Sequence, residues 1–283
     1  MSHWFEEQLD IDRGRALRIR TRTRLERVKS DFQEIEVYET DAFGRMLVHD
    51  GVIMLTEFDE AHYHEMIAHV ALITHPCPAD VLVIGGGDGG TLREVLRHSE
   101  VRHARLCEID PMVPEVCRRH FPALARSFDD PRVTLTFADG AEFVTRHPSA
   151  FDIIIVDSSD PIGPAEVLFQ EAFYTAMKGA LKPGGMVVTQ SESFMYHREL
   201  IREISAFSRR LFPLYRYCYT LVPTYPSGLI GFSLCSLGPD PLKTPDRDRI
   251  ARLGPMRYYS ADIHRSAFIL PAGAQGIFSP AKD

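Results

Sequence analysis

The sequence predicts an α/β protein with a doubly wound, mostly parallel sheet preceded by a small antiparallel β unit. Three observations carry that prediction. Four apolar residues, Val81-Leu82-Val83-Ile84, break at Gly85-Gly86-Gly87-Asp88-Gly89-Gly90, and Leu92, Val95 and Leu96 follow at helical spacing, the pattern of a buried strand, a ligand loop and a one-sided helix. Downstream, strand-like and helix-like segments alternate, as a parallel sheet requires. Upstream, period-two alternation is punctuated by turn residues, as in antiparallel strands. We therefore expect a β-strand domain over 1–56 and an α/β domain over 57–283.

In the first unit Arg18, Arg20, Arg22 and Arg24 alternate with Leu17, Ile19, Thr21, Thr23 and Leu25, a strand with one basic face. The stretch lacks interleaved aromatics and sits in a chain of net charge -7, so a solvated or subunit-contacting face is expected rather than a nucleic-acid site. Residues 33–39 alternate again, Asp41 to Gly44 reads as a turn, and Asp50-Gly51 is a hairpin signal between Met46-Leu47-Val48 and Val52-Ile53-Met54. Thr56 to Ile73 reads as a helix, with Thr56 or Asp59 near its N-cap and Tyr63, Met66, Ile67 and Val70 along one stripe. Histidines 62, 64, 69 and 75 do not suggest a metal site, because residues two apart point to different sides of a helix. Pro76 and Pro78 mark the boundary between this helix and the main α/β repeat.

Gly85, Gly87 and Gly90 satisfy G-x-G-x-x-G, with Glu108 about twenty residues on, near the distance of a ribose-binding acid. Asp88 argues against a pyrophosphate. A carboxylate inside the turn opposes an anion at the helix N-terminus and suits a cation, such as a nucleoside sulfonium with an amine on its tail. The next strands end in acids as well: residues 105–110 at Glu108 and Asp110, residues 133–137 at Asp139-Gly140, and the almost wholly apolar 151–156 at Asp157. That last strand should be central, covered on both faces. Since ligands of open α/β sheets bind outside the strand carboxyl ends, Asp88, Glu108, Asp139 and Asp157 should converge on one crevice. Helices over 169–181 and 197–211, a turn at Lys182-Pro183-Gly184-Gly185, and strands at 186–190, 214–222 and 229–236 complete the reading. The tail after Leu270 is expected to be mobile.

A chain of 283 residues with 45% apolar and 25% charged residues is an ordinary globular composition. No apolar run approaches the ~20 residues of a membrane helix, and the start MSHWFEEQLD has no export signature, so no membrane partner and a cytoplasmic location are expected. Five cysteines without C-x-x-C spacing read as core thiols.

The combination of Gly85 to Gly90, Tyr63-His64-Glu65, Glu108-Ile109-Asp110, Asp157-Ser158-Ser159-Asp160-Pro161-Ile162-Gly163-Pro164, Pro223-Thr224-Tyr225-Pro226-Ser227-Gly228 and Tyr258-Tyr259 resembles spermidine synthase, of the polyamine aminopropyltransferase family. The resemblance implies a methyltransferase-like, Rossmann-like domain behind the β unit, in homodimers or homotetramers. It implies aminopropyl transfer from decarboxylated S-adenosylmethionine, a co-substrate, to putrescine, with no cofactor, no metal and no nucleic acid. It places Gln33, His64, Asp88, Glu108, Asp139 and Gly140 around the donor and Tyr63, Asp157, Asp160, Gln190 and Tyr225 around the amine. Asp157 is then the proton acceptor, and Gly85, Gly86, Gly87 and Pro164 are loop residues of the site. Phe58, Met54-Leu55, Ala138 and Ser191-Glu192-Ser193 depart from the commonest family pattern. These departures leave other acceptors open: cadaverine, diaminopropane, agmatine or spermidine. Two further readings are a methyltransferase on the same fold and a noncatalytic polyamine-binding protein.

Overall fold

The computed structural model describes residues 3–161 and 163–278; the side chain of Pro164 also lies outside the described residues. The chain opens with strands β1 (His3–Glu6), β2 (Arg18–Lys29), β3 (Glu34–Thr40), β4 (Arg45–His49) and β5 (Val52–Thr56), which form an antiparallel sheet in chain order. The Asp50-Gly51 hairpin forms, both residues at positive φ (48° and 79°), as a two-residue turn between twisted strands requires. The basic face of β2 is paired within its own sheet: Arg20 and Arg22 donate to Asp41, and Arg27 meets Glu34. Register shifts after Thr21 and Arg24 break the simple alternation expected there.

Helix α1 (Glu60–Thr74) links the two sheets. The one-sided stripe read from sequence is a correction: α1 is buried on all sides, because Ile35, Val37, Leu47 and Leu55 of the first sheet and Val81, Val83, Ile153 and Ile155 of the second share one core with it. Asp59 occupies the N-cap position without capping the helix; its carboxylate instead accepts from Thr56 (2.6 Å) and Thr224 (2.9 Å).

There follow β6 (Asp80–Gly85), α2 (Gly90–Leu96), β7 (His103–Glu108), α3 (Met112–His120), α4 (Pro122–Ala125), β8 (Val133–Phe137), α5 (Gly140–Thr145), β9 (Phe151–Asp157), α6 (Glu171–Ala180), β10 (Leu181–Gln190), α7 (Arg198–Leu211), β11 (Leu214–Leu221), β12 (Leu229–Ser236), α8 (Arg247–Arg252), α9 (Ala261–Ser266) and α10 (Ala272–Gln275). The sheet order is β11-β12-β10-β9-β6-β7-β8, with β10, β9, β6, β7 and β8 parallel and β11 and β12 antiparallel. Side chains of β6 and β9 alternate between two cores: Val81, Val83, Ile153 and Ile155 face α1 and α2, and Leu82, Ile84, Ile154 and Val156 face α6 and α7. That is the doubly wound α/β architecture, with β9 at the centre.

Lys182 to Gly185, expected as a turn, lies inside β10 as an irregularity of register between Leu181 and Met186. Cys77 is exposed whereas the other cysteines are buried. In the tail after Leu270, residues 272–275 form α10 and Phe278 packs against Tyr217 with ring centroids 5.1 Å apart, while residues 279–283 lie outside the described residues. No helix among the described residues is long and apolar enough to cross a membrane.

Candidate active site

The parallel register sets Gly85 beside Asp157, and the chain leaves β6 through a turn in which Gly86 N–H donates to the Asp157 carbonyl at 2.8 Å. Gly86 has φ 65°, and a Cβ there would lie 2.8 Å from Asp157 Oδ2, so only glycine lets the loop pass this carboxylate. Above the carboxyl ends of β7, β6, β9 and β10 lies one cavity, roofed by the first sheet, α1 and the turn before β12. Every site residue expected from the sequence lines it except Pro164, whose side chain lies outside the described residues. Among the described lining residues there is neither lysine nor arginine, while carboxylates stand along its whole length.

At one end Glu108 accepts from Gly87 N–H (3.1 Å) and Asp110 N–H (2.9 Å). Burial outweighs those bonds and pushes Glu108 up to about 7. Gln33 donates to Asp110 at 3.0 Å, which fixes the roof over this end. Asp139 caps α5 through Ala141 N–H (2.7 Å), and Gly140 packs so tightly on Ile84 that no Cβ fits.

In the middle Asp88 accepts from Gly90 N–H at 2.6 Å and faces His64 Nε2 at 3.3 Å. Burial pushes the Asp88 carboxyl upward, but the His64 charge and hydrogen bond outweigh it and hold Asp88 below its ordinary range. Asp157 is the opposite case. It receives hydrogen bonds from Tyr63 (2.7 Å) and Thr91 (2.6 Å), yet burial and the neighbouring Asp88 charge raise it. Ligand atoms of His64, Asp88 and Asp157 lie within 4.8 Å of one another.

At the far end Gln190 Nε2 donates to Glu192 Oε1 at 3.1 Å, and its Oε1 is buried without a hydrogen-bond partner. Glu192 also meets His197 at 3.0 Å. Burial, and after it the charge of Glu192, push Asp160 well above the ordinary carboxylate range. Tyr225 donates its hydroxyl to the Met54 carbonyl (2.8 Å), and its ring meets that of Tyr63 at 60° with centroids 6.2 Å apart. The cavity thus offers an end lined by Glu108 and Asp139, a carboxylate pair of unequal proton affinity, and an acidic recess beyond it.

Residues 60–242 match the family model described as spermine/spermidine synthase domain, and residues 3–57 match that of the spermidine synthase tetramerisation domain. The chain belongs to the spermine/spermidine synthase family. It is 49% identical over 276 residues to a polyamine aminopropyltransferase of Leptospira biflexa, covering 97% of this chain and 98% of that one. It is 45% identical to a spermidine synthase of Dictyostelium discoideum, with 95% and 94% covered. A spermidine synthase crystallised with the transition-state analogue AdoDATO superposes with a TM-score of 0.94 at 37% identity, over 98% of this chain and 94% of that one. This member of the spermidine synthase family is accordingly an aminopropyltransferase, with the family's methyltransferase-like fold.

The geometry also brings in side chains that the sequence reading did not single out. Glu60 meets His64 one turn away on α1, a spacing readable in a helix. Thr91 bonds Asp157, and Glu7, Asp10 and His49 line the cavity from the first unit. Nothing local in the sequence signals these last three; only the packing of the β sheet over the strand ends brings them there.

Proposed function

We propose that the enzyme transfers the aminopropyl group of decarboxylated S-adenosylmethionine to putrescine, giving spermidine and methylthioadenosine, with Asp157 as proton acceptor. The observation that carries this reading is an acidic cavity with no lysine or arginine among its described lining residues, in which Asp88 is held ionised and Asp157, beside it, is raised. A donor with an ammonium and a sulfonium but no carboxylate matches that charge; ordinary S-adenosylmethionine would set its carboxylate near Asp88. Glu108 takes the ribose hydroxyls, Asp139 and Gly140 the adenine, Gln33 closes that end, and Asp88, facing His64, holds the donor's ammonium. Tyr63, Asp160, Gln190 and Tyr225 hold the amine.

An alkylammonium with a pKa near ~10.4 has no free lone pair, and neutralising it at pH 7 costs about 4–5 kcal/mol. A carboxylate of ordinary pKa is a poor base for that proton; burial strengthens Asp157, and the adjacent sulfonium weakens the amine's hold on its hydrogen. Asp157 takes the proton, the nitrogen lone pair attacks the methylene carbon, and the carbon–sulfur bond breaks with its electrons on sulfur, leaving a neutral thioether. Holding both substrates in line supplies most of the remaining acceleration. The reaction needs no resident cofactor. The tetramerisation match over residues 3–57 supports a homo-oligomer, dimer or tetramer, and we place the enzyme in the cytoplasm.

The test is a panel of amines assayed with decarboxylated donor. Putrescine should give the highest kcat/KM; cadaverine, diaminopropane, agmatine or spermidine exceeding it would reassign the acceptor, and tighter binding of S-adenosylmethionine than of its decarboxylated form would overturn the donor.

A further inference from the structure

His64 stands between two carboxylates. Its Nδ1 is 2.7 Å from Glu60 Oε2 and its Nε2 is 3.3 Å from Asp88 Oδ1. A neutral imidazole carries one N–H, so it would set a bare lone pair against one of those carboxylates; the ring satisfies both only as imidazolium. Burial disfavours the charge, yet Asp88 and Glu60 outweigh it and lift His64 to about 10. Glu60 is itself pinned, accepting from Arg93 at 2.8 Å and from Arg257 at 3.0 Å. On its other side the ring lies against Gly90, where any Cβ would overlap it, so glycine at this position is what admits the imidazole. The remaining charged group facing the ring is Asp157 of β9, and the Tyr63 ring stands nearly perpendicular to it with centroids 5.5 Å apart.

The donor placement proposed above brings an ammonium to this same Asp88, where it meets the imidazolium. Two cations would then share one carboxylate. We propose that Glu60 is a positioning residue that keeps the hydrogen on His64 Nδ1, so that the arriving ammonium expels the Nε2 proton and gains the freed lone pair as a second acceptor beside Asp88. The Nε2–H bond breaks, the proton leaves to solvent, and the ring remains as the neutral Nδ1–H tautomer. The ammonium donates one hydrogen to Nε2 and another to Asp88. His64 is therefore a stand-in cation in the free enzyme and an acceptor in the complex, and donor binding is coupled to proton release. This inference rests on the donor reading and adds to it the tautomer and the proton count.

Calorimetry at pH 8 in buffers of different ionisation heat tests it. The full chain carrying Asp157→Asn is used, so that neither turnover nor Asp157 contributes protons, and methylthioadenosine, which has no ammonium, corrects for Glu108. Decarboxylated S-adenosylmethionine should release about one proton more than methylthioadenosine. Adding Glu60→Gln or His64→Gln should cut that difference below half. Equal proton counts for the two nucleosides, or an undiminished count in the Glu60→Gln protein, would overturn the proposal. Should the decarboxylated donor bind no more tightly than methylthioadenosine, the donor reading falls and the inference with it; tighter binding without the extra proton sinks the inference alone. Where Glu60→Gln does not fold, histidine nitrogen NMR of the Asp157→Asn protein decides: His64 should change from imidazolium to the Nδ1–H tautomer on donor binding, and an imidazolium that persists refutes it.

Discussion

The Tyr63 hydroxyl donates to Oδ1 of Asp157 across 2.7 Å, while Thr91 holds the other oxygen. The bond favours the ionised carboxylate, against burial and the charge of Asp88. Tyr63→Phe should therefore raise the Asp157 pKa further. A hydrogen bond to a charged group contributes about 1.5–3 kcal/mol, so the acid limb of kcat/KM should move up by about one to two pH units. A pH profile of the variant measures this; an unmoved acid limb would deny Asp157 the role of base.

Asp157→Asn removes the carboxylate proposed as proton acceptor and keeps the shape of the site. Turnover should fall by about 10²–10⁴, the usual contribution of a general base, with donor affinity little changed. Rapid-quench turnover and equilibrium donor binding on the same preparation separate the two effects. Near-normal turnover would remove Asp157 from the mechanism.

Glu108 is raised to about 7 by burial, and the ribose-accepting role proposed for it requires the ionised form. Nucleoside affinity should then rise with pH: the ionised fraction climbs about tenfold between pH 6 and pH 8, and methylthioadenosine should bind about tenfold more tightly at the upper value. Glu108→Gln should flatten that dependence. For stability the sign is reversed. A carboxyl raised in the folded state stabilises fully below its unfolded pKa, and that contribution is lost as pH rises through about 7.

The glycine loop, the acids at the strand ends and the central position of β9 were legible because each is written locally, in short apolar runs that stop at glycine or a carboxylate. Strand β1 and helix α5 were not, being four and six residues long, too short for periodicity to show. The one-sided reading of α1 failed because its outward face is covered by the β sheet, which no local pattern reports. The same packing hid Glu7 and Asp10: they meet the Asp160 and Glu192 end of the cavity from the other end of the chain. His64 was named from the family resemblance, but the pairing with Glu60 that sets its charge is a matter of side-chain direction.

Glu7 offers a test of what burying a carboxyl in the first unit costs. It is buried, and its Oε1 accepts from Ile53 N–H at 3.0 Å, but burial, reinforced by Asp10, raises it to about 7. Because the folded state binds this proton more tightly than the unfolded chain does, the stabilisation is fully present below about pH 4.5 and lost as pH rises through about 7. Glu7→Gln keeps an oxygen for Ile53 and abolishes the ionisation. It should raise the melting temperature by several degrees at pH 8, a gain of at most about 3 kcal/mol, and leave it nearly unchanged at pH 5. Thermal unfolding at the two pH values measures the difference, and a variant no more stable than the parent at pH 8 would show that Glu7 gains a compensating partner there.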